Sequence, residues 1–311
     1  MSSPLVEIRI PTYQRTTLLR RALNALLAQT WGNWRAVILD DGDMARAVVE
    51  EIGDDRILYR PNPVRLGREL NIMAAFSGQP LAGGDAFYML EDDNWLEPTF
   101  LADNLRWLAA HEVGVVVNNQ WHEVPDDDPL AGPPRHAGLE ANLCHTTGVW
   151  SPDDFRIALL WCLPLSNGSV FWRRGCRSDF ALGDRHHPAL HEWMRAWRLA
   201  DPIYFNATPN VFWYPSEPDP PGPRLSGMRG FLKRERALLA MRRRILRDLA
   251  RRGETAKLLS DRFRTPLAER EEAVLKAGGR WPGDRHLPLR RRANLAAKVG
   301  ALRLLVPPGR L

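Results

Sequence analysis

The sequence has 311 residues, of which 44% are hydrophobic and 26% are charged. This supports one large α/β domain, or a domain of about 200 residues with an appendage. No run of about 18 uncharged apolar residues occurs and the N-terminus lacks a signal-peptide pattern, so we expect a soluble, cytoplasmic protein. Residues 1–220 contain 19 basic and 29 acidic residues, whereas residues 221–311 contain 24 and 8, so an acidic body precedes a basic tail.

Strand-like and helix-like segments alternate through the first 117 residues. Period-two alternation of apolar residues predicts strands, and apolar residues at helical spacing predict helices. The predicted segments are strands at 6–10, 34–40, 86–90 and 113–117 and helices at 16–29 and 97–110. This order predicts βαβ units and a mainly parallel sheet flanked by helices.

Polar clusters follow three of the predicted strands. The first strand ends in PTYQR (11–15), the second in DDGD (40–43) and the third in EDDN (91–94). Parallel sheets bind ligands at the carboxyl ends of their strands. We therefore expect the three clusters to form one binding site.

The EDDN cluster has two interpretations, because adjacent carboxylates raise the cost of ionising one another. It is either a solvated acidic loop or a cation site. Asp92 and Asp93 point in different directions, so one can bind Mg²⁺ or Mn²⁺ while the other accepts a hydrogen bond from a ribose hydroxyl. Asp41 can accept the ring N–H of a pyrimidine, and Tyr13 either stacks on that base or covers the sheet edge.

The remaining sequence is less regular. It holds one strong strand candidate at 167–174, a helix after Pro188 that runs to about residue 200 and a basic amphipathic helix at 229–253. The domain boundaries that we predict are 1–220 for the main domain, with halves at 4–117 and 118–213, then a proline-rich linker at 214–224 and a basic helical region at 225–311.

Three cysteines, Cys144, Cys162 and Cys176, are widely spaced and include no C-x-x-C pair. Their number and spacing fit neither a disulfide framework nor a zinc ligand set. We expect them to be buried, reduced thiols.

The ordered motifs PTYQR, AVILDDGD, GRELN (67–71) and AFYMLEDDN resemble the nucleotide-sugar half of a family 2 glycosyltransferase of the GT-A fold. The resemblance covers residues 4–110 and, less closely, 165–200. It implies a Rossmann-like α/β sheet and a metal-dependent, inverting hexosyltransferase that uses Mg²⁺ or Mn²⁺ and a nucleotide-sugar donor, with UDP-sugars typical of the family.

The resemblance also implies roles for individual residues of the first two motifs. Thr12 and Tyr13 would lie near the nucleobase, Pro11 would shape the turn, and Asp41 would accept a hydrogen bond from the base. The chain departs from the family at Gln14, where asparagine is usual.

In the later motifs, Arg68 and Asn71 would lie near the base or the diphosphate. Asp92 would contact ribose or sugar, and Asp93 would be the main metal ligand. The resemblance leaves open whether Glu91 reaches the metal. The GRELN segment is shorter than the commonest form in the family.

An inverting transfer needs a general base for the acceptor hydroxyl. The resemblance implies Glu192 as this base with His191 beside it, and Asp184 as a reserve candidate. The alternative for Glu192 is a surface ion pair with Arg195. A zinc site at His187, His191 and Glu192 is disfavoured because Pro188 interrupts the helical turn and the spacing is not H-E-x-x-H.

The strand at 167–174 resembles the acceptor-side strand of the family, so Asn167, Ser169 and Trp172 are candidates for the acceptor site. The acceptor itself is not identified and is a glycan, a lipid-linked molecule or a natural product. A sugar nucleotidyltransferase would need a glycine-rich loop after the first strand, and PTYQRTT contains no glycine.

The basic tail allows a non-enzymatic interpretation, in which its helices bind nucleic acid or an anionic membrane. The alternative is that the tail packs against the acidic body. We favour this packing together with peripheral contact at the inner face of the membrane, where a lipid-linked acceptor would bring the enzyme. Nucleic acid is disfavoured as a partner. The high arginine and alanine content is typical of a GC-rich bacterial gene.

Overall fold

The computed structural model describes residues 3–123, 135–137, 144–182, 190–214 and 228–305. The strands within these ranges are β1 (Val6–Thr12), β2 (Trp34–Asp40), β3 (Ile57–Pro61), β4 (Ala86–Met89), β5 (Trp95–Leu96), β6 (Val115–Glu123), β7 (Arg135–Ala137), β8 (Gly148–Trp150), β9 (Val170–Arg173) and β10 (Ile203–Trp213). The helices are α1 (Thr16–Leu27), α2 (Ala45–Ile52), α3 (Arg68–Ala75), α4 (Phe100–Ala110), α5 (Pro152–Ile157), α6 (His191–Trp197), α7 (Met228–Arg251), α8 (Leu267–Lys276) and α9 (Leu289–Leu305). Short 3₁₀ helices occupy 158–160, 167–169 and 255–259.

The central sheet has the strand order β3-β2-β1-β4-β9-β6-β10-β5, with β7 paired to β6 and β8 paired to β10. Strands β3, β2, β1 and β4 are parallel to one another, whereas β9 runs antiparallel between β4 and β6. The predicted α/β architecture, a sheet flanked by helices, is confirmed. The antiparallel strands β5, β7, β8 and β9 make the sheet more mixed than the βαβ pattern alone suggests.

The first strand is central in the sheet, and the first helix packs through one apolar face. All seven residues of β1 are buried, and α1 buries Leu19, Ala22, Leu23 and Leu26, which are the apolar positions at helical spacing. Strand β1 pairs with β2 on one side and β4 on the other, in registers that align Thr12 with Asp40 and Arg9 with Met89. The carboxyl ends of the three strands therefore meet at one edge of the sheet.

The basic tail packs on the body, as favoured from its charge. Four apolar residues of α7 belong to the same hydrophobic core as strands β4, β6 and β9: Leu238, Met241, Ile245 and Leu249. Ion pairs of 2.8 Å between Arg252 and Asp153 and 2.7 Å between Lys257 and Asp154 accompany this packing. The predicted linker lies outside the described residues, except for Tyr214.

The expectation of three reduced thiols is wrong. Cys144 and Cys162 form a disulfide across 18 residues, and Cys176 is the free cysteine. The pairing arises because the turn formed by α5 and the 158–160 helix folds the chain back on itself, a proximity that the sequence spacing does not reveal. Burial raises the pKa of the Cys176 thiol to about 11.

No helix within the described ranges is both long enough and apolar enough to span a bilayer.

Candidate active site

A cavity of about 290 Å³ lies where β1, β2 and β4 end, beside the start of α3. All three polar clusters of the sequence contribute to its walls, so their predicted convergence is seen in the structure. The lining residues are Pro11, Thr12, Tyr13, Arg15, Asp41, Arg65, Arg68, Asn71, Ile72, Glu91, Asp92 and Asp93. Every donor-site and metal-site residue expected from the sequence is among them.

Asp41 organises the wall of the cavity that precedes α3. Its Oδ1 accepts hydrogen bonds from the backbone N–H of Leu66 (2.6 Å) and from Asn62 Nδ2 (3.0 Å), and its Oδ2 accepts one from the backbone N–H of Gly67 (2.7 Å). Gly67 has a φ of 81°, which favours glycine, and the next residue, Arg68, begins α3. Asp41 therefore fixes where Arg68 enters the cavity and retains roughly one of its four lone-pair positions for a ligand.

Asn71 ties two strand ends together. It is only 3% exposed, and its Nδ2 donates to the carbonyl of Leu39 at 3.0 Å and lies 3.5 Å from the carbonyl of Thr12. Its Oδ1 accepts from Asn62 at 3.1 Å. These bonds hold the ends of β1 and β2 together, and Asn71 also lines the cavity in which it was expected to lie near the base or diphosphate.

Two exposed arginines, Arg65 and Arg68, line the cavity. The guanidinium of Arg65 lies 4.2 Å from the centre of the half-buried Tyr13 ring, within cation–π distance. Arg68 is exposed at the first position of α3. Arg65 was missed from the sequence, although it stands only three residues before Arg68.

The acidic cluster is held by residues of β1 and the turn after it. Thr12 Oγ1 donates to Asp92 Oδ2 at 2.7 Å, and Arg15 Nη1 lies 2.8 Å from Asp93 Oδ2 and 3.4 Å from Asp92 Oδ1. Arg21 Nη2 donates to the backbone carbonyl of Asp93 at 2.6 Å. Arg15 was also missed from the sequence, where it is simply the last residue of PTYQR.

The cluster concentrates three carboxylates in a largely buried site. Burial raises the pKa of Asp92 to about 6, with Thr12 opposing the shift. Burial and the carboxylates of Asp93 and Glu192 raise the pKa of Glu91 to about 8. A divalent cation would relieve this concentration of negative charge, so the donor set fits one.

The fit requires ligands from outside the chain. Among the described residues, no three histidine, cysteine, aspartate or glutamate side chains are arranged to hold a metal ion. A hard cation at Asp93 would complete its shell with water and phosphate oxygens, as Mg²⁺ commonly does.

Glu192 lies at the start of α6 and is tied to the turn before β9. Its Oε1 accepts the backbone N–H of Asn167 at 2.9 Å, while Arg195 donates to Asn167 Oδ1 and, at 3.1 Å, to the carbonyl of Phe180. Arg195 is fully buried rather than on the helix surface, which disfavours the exposed Glu192–Arg195 pair. Burial raises the pKa of Glu192, and Asn167 and Arg195 oppose the shift.

The same turn brings Glu192 towards the acidic cluster. Next to Asn167, Gly168 packs so closely on Asn94 and Gln120 that an added Cβ would lie 3.0 Å from Asn94 Nδ2, 3.1 Å from Gln120 Nε2 and 3.5 Å from Glu91 Oε2. The charge of Glu192 contributes to the raised pKa of Glu91. The two glutamates are therefore electrostatic neighbours, and both lie close to the 167–169 turn.

The other acceptor-side residues are more deeply buried than expected. Trp172 is 3% exposed in the core, where its ring stacks on Phe76 at 5.6 Å. Ser169 is fully buried and donates to the carbonyl of Ser166 at 2.8 Å, and His191 is buried at the first position of α6. Asp184 and His187 lie outside the described residues.

Residues 7–159 match the family model described as Glycosyl transferase family 2. A putative colanic acid biosynthesis glycosyl transferase, WcaA of Escherichia coli K12, is 32% identical over 102 residues, which are 30% of this chain and 34% of that protein. A putative glycosyltransferase, EpsH of Bacillus subtilis 168, is 29% identical over 132 residues, 40% of this chain and 36% of that protein. The matched segments thus span only 34% and 36% of these two relatives.

Solved structures of S. aureus TarS resemble the fold. The structure of TarS residues 1–349 has a TM-score of 0.55 and 14% identity, and covers 87% of this chain and 71% of that one. The same fragment in complex with UDP has a TM-score of 0.54 and 12% identity, and covers 97% and 81%. At this level of identity the likeness shows a shared fold.

Proposed function

We propose, from the match of residues 7–159 to the family 2 glycosyltransferase model, that the protein belongs to this family and transfers a sugar from a nucleotide-sugar donor to an acceptor hydroxyl with inversion. The observation that carries the proposal is the single cavity lined by Thr12, Asp41, Arg68, Asp92 and Asp93 at the carboxyl ends of β1, β2 and β4. UDP-sugars are the first choice of donor, because a TarS structure with this fold is a complex with UDP.

Each part of the donor has chemically suited neighbours in the cavity. Tyr13 offers an aromatic face and Asp41 an acceptor for the base, while Arg65 and Arg68 supply positive charge for the diphosphate. Asp92 provides an acceptor for a ribose or sugar hydroxyl. A Mg²⁺ or Mn²⁺ ion held by Asp93 would stabilise the charge that develops on the departing nucleoside diphosphate.

Glu192 is the proposed general base. As the acceptor oxygen bonds to the anomeric carbon, the Glu192 carboxylate takes the hydroxyl proton, and the bond to the diphosphate breaks with its electron pair on the phosphate oxygen. A raised pKa makes Glu192 a stronger base than an exposed glutamate, which favours proton abstraction near neutral pH. Asn167 positions Glu192 through its backbone N–H.

Thermal-shift measurements with a panel of nucleotides and nucleotide-sugars, each with and without Mn²⁺, test the donor site. A bound donor raises the melting temperature by mass action, and UDP with Mn²⁺ is expected to give the largest rise. Release of UDP from UDP-sugars then tests turnover. The absence of stabilisation by every nucleotide in the panel would contradict the proposal.

A second proposal concerns the outward face of α7. Five exposed cations recur along it at spacings that keep them on one side of a helix: Lys233, Arg236, Arg244, Arg247 and Arg251. The opposite face is buried in the core, so contact with an anionic membrane would be electrostatic, at about 1 kcal/mol per cation. Such contact would hold the protein peripherally at the inner face of the membrane, near a lipid-linked acceptor.

Substitution of these cations tests the second proposal better than truncation, because truncation at 225 would remove core residues. The triple variant Arg236→Gln, Arg247→Gln, Arg251→Gln should lose salt-sensitive binding to phosphatidylglycerol vesicles. A matched pair on other helices, Arg46→Gln and Arg106→Gln, should retain it. Equal binding of all variants, or a preference for duplex DNA over vesicles, would contradict membrane contact.

A further inference from the structure

Arg15 contacts both of the aspartates that end the acidic cluster. Its Nη1 lies 2.8 Å from Asp93 Oδ2 and 3.4 Å from Asp92 Oδ1, so one guanidinium spans both carboxylates. The Arg15 side chain is 28% exposed, against 8% for Asp92 and 11% for Asp93. Arg15 therefore covers the acidic pair from the solvent side of the cavity.

The chain directs Arg15 to this position. Gln14 has a φ of 53°, in the left-handed region, and this sharp turn between β1 and α1 precedes Arg15 at the cap of α1. Six residues later, Arg21 donates to the backbone carbonyl of Asp93. The first turns of α1 thus bind both the carboxylates of Asp92 and Asp93 and the backbone carbonyl of Asp93.

A guanidinium and a divalent cation compete for these oxygens. Both carry positive charge, so their mutual repulsion within this partly buried site opposes simultaneous binding to the same oxygens. A cation that binds Asp93 Oδ2 must therefore displace the Arg15 guanidinium, or it binds more weakly because of the repulsion. Arg15 also lines the cavity, within which the planar fork of arginine suits two phosphate oxygens.

We propose that Arg15 is a built-in counter-ion of Asp92 and Asp93, which keeps the cation site closed until a nucleoside diphosphate takes up its guanidinium. This inference rests on the proposed nucleotide-sugar function and goes beyond it. It makes the order of binding a property of the chain: the cation alone binds weakly, and the diphosphate opens its site. Arg15 acts as a positioning residue that controls access to Asp93.

Removal of Arg15 should uncouple the two ligands. Without the guanidinium, the carboxylates of Asp92 and Asp93 should attract a cation more strongly, and the apo protein should become less stable. We expect Arg15→Met and Arg15→Gln to bind Mn²⁺ in the absence of nucleotide about tenfold more tightly than the wild type, within the usual range of coupling between sites. Arg15→Lys retains the charge and should remain closer to the wild type.

The experiment is a titration of the full chain with Mn²⁺, in which free Mn²⁺ is measured by electron paramagnetic resonance, with and without saturating UDP. Arg20→Met is the matched control, because Arg20 lies on α1 but pairs with Glu51 at 2.9 Å outside the cavity. Circular dichroism melts report whether each variant folds. If Arg15→Met does not fold, the comparison of Arg15→Gln with Arg15→Lys decides the result.

The outcomes separate this inference from the proposed function. Tighter Mn²⁺ binding by the charge-removing variants alone, with Arg20→Met unchanged, supports the role of Arg15. Mn²⁺ affinity in Arg15→Met and Arg15→Gln that is equal to or below the wild-type value overturns it. Failure of the wild type to bind Mn²⁺ even with UDP would instead contradict the proposed metal-assisted transfer.

Discussion

Asp92 and Asp93 lie beside Glu91 and Glu192 at one edge of the sheet, but the two pairs of carboxylates have different neighbours. The aspartates receive hydrogen bonds from Thr12 and Arg15. Glu91 accepts a hydrogen bond from the side-chain amide of Asn94, and Glu192 accepts one from the backbone N–H of Asn167. Burial raises the pKa of both glutamates. Two adjacent carboxylates spanned by one guanidinium suit a site at which a ligand exchanges for that cation, whereas a raised pKa suits a buried glutamate to accepting a proton; burial raises the pKa of Asp92 as well.

The aspartate pair is tested most strongly by Asp93→Asn. The amide keeps the shape of the side chain but removes the charge on which a cation depends, so we expect metal-dependent turnover of the donor to be abolished. Release of UDP at increasing Mn²⁺ concentration measures the effect. Asp103→Asn is the control, because Asp103 lies on α4 and pairs with Arg106 at 2.8 Å. Full activity of Asp93→Asn would show that its carboxylate is not the metal ligand.

The glutamate pair is tested by Glu192→Gln. Loss of a general base typically lowers turnover by about 10²–10⁴-fold, so we expect kcat to fall in this range while the affinity for UDP is retained. Glu50→Gln, on the exposed face of α2, should leave both quantities unchanged. A variant with normal kcat, or one in which only UDP affinity falls, would assign Glu192 to a structural or binding role.

The pH dependence of stability distinguishes the pairs further. Because the pKa of Glu91 is raised from 4.5 to about 8, the folded state binds a proton that the unfolded state releases between these values. Stability should therefore fall as pH rises from about 4.5 to about 8. Glu91→Gln removes this cost and should raise the melting temperature at pH 8 by at least about 2 °C. If the difference in melting temperature between Glu91→Gln and the wild type is the same at pH 5 and at pH 8, the prediction is wrong.

The smallest expected effect concerns the turn that presents Arg15 to the aspartates. Gln14 adopts a left-handed conformation that asparagine tolerates better, so Gln14→Asn should increase the free energy of unfolding by up to about 1 kcal/mol. Urea denaturation measures the change, and Gln79→Asn, which leaves this turn intact, is a control. A lower free energy of unfolding in Gln14→Asn would show that contacts of the Gln14 side chain stabilise the fold by more than its left-handed backbone conformation destabilises it.

The convergence of the site residues was predictable because parallel strands that begin in register end at one edge. The motifs after β1, β2 and β4 could therefore be assigned to one cavity from their order alone. Arg15 and Arg65 could not be assigned in this way, because an arginine in a turn can point to solvent or into a cavity with equal ease. The signal that could have found them is their position beside motif residues, within four residues of Pro11 and three of Arg68.

Other differences come from contacts between distant parts of the chain. Asn71 lines the cavity, as expected for a donor-site residue, but its hydrogen bonds to the carbonyls of Leu39 and Thr12 could not be predicted from the sequence. Trp172 was a candidate for the acceptor site, yet its place in the core follows from the insertion of β9 between β4 and β6. The Cys144–Cys162 disulfide depends on a chain reversal through α5.

The amino-acid sequence by itself determined the alternation of strands and helices, the edge of the sheet that carries the polar clusters and the acidic residues of the site. These properties follow from local periodicity and from the order of motifs along the chain. Only the tertiary structure decided which cation faces Asp92 and Asp93, how Glu192 approaches Glu91 and where the basic tail packs. Those outcomes depend on pairs of residues that are far apart in sequence, and competition between several possible partners is settled only when the whole chain is folded.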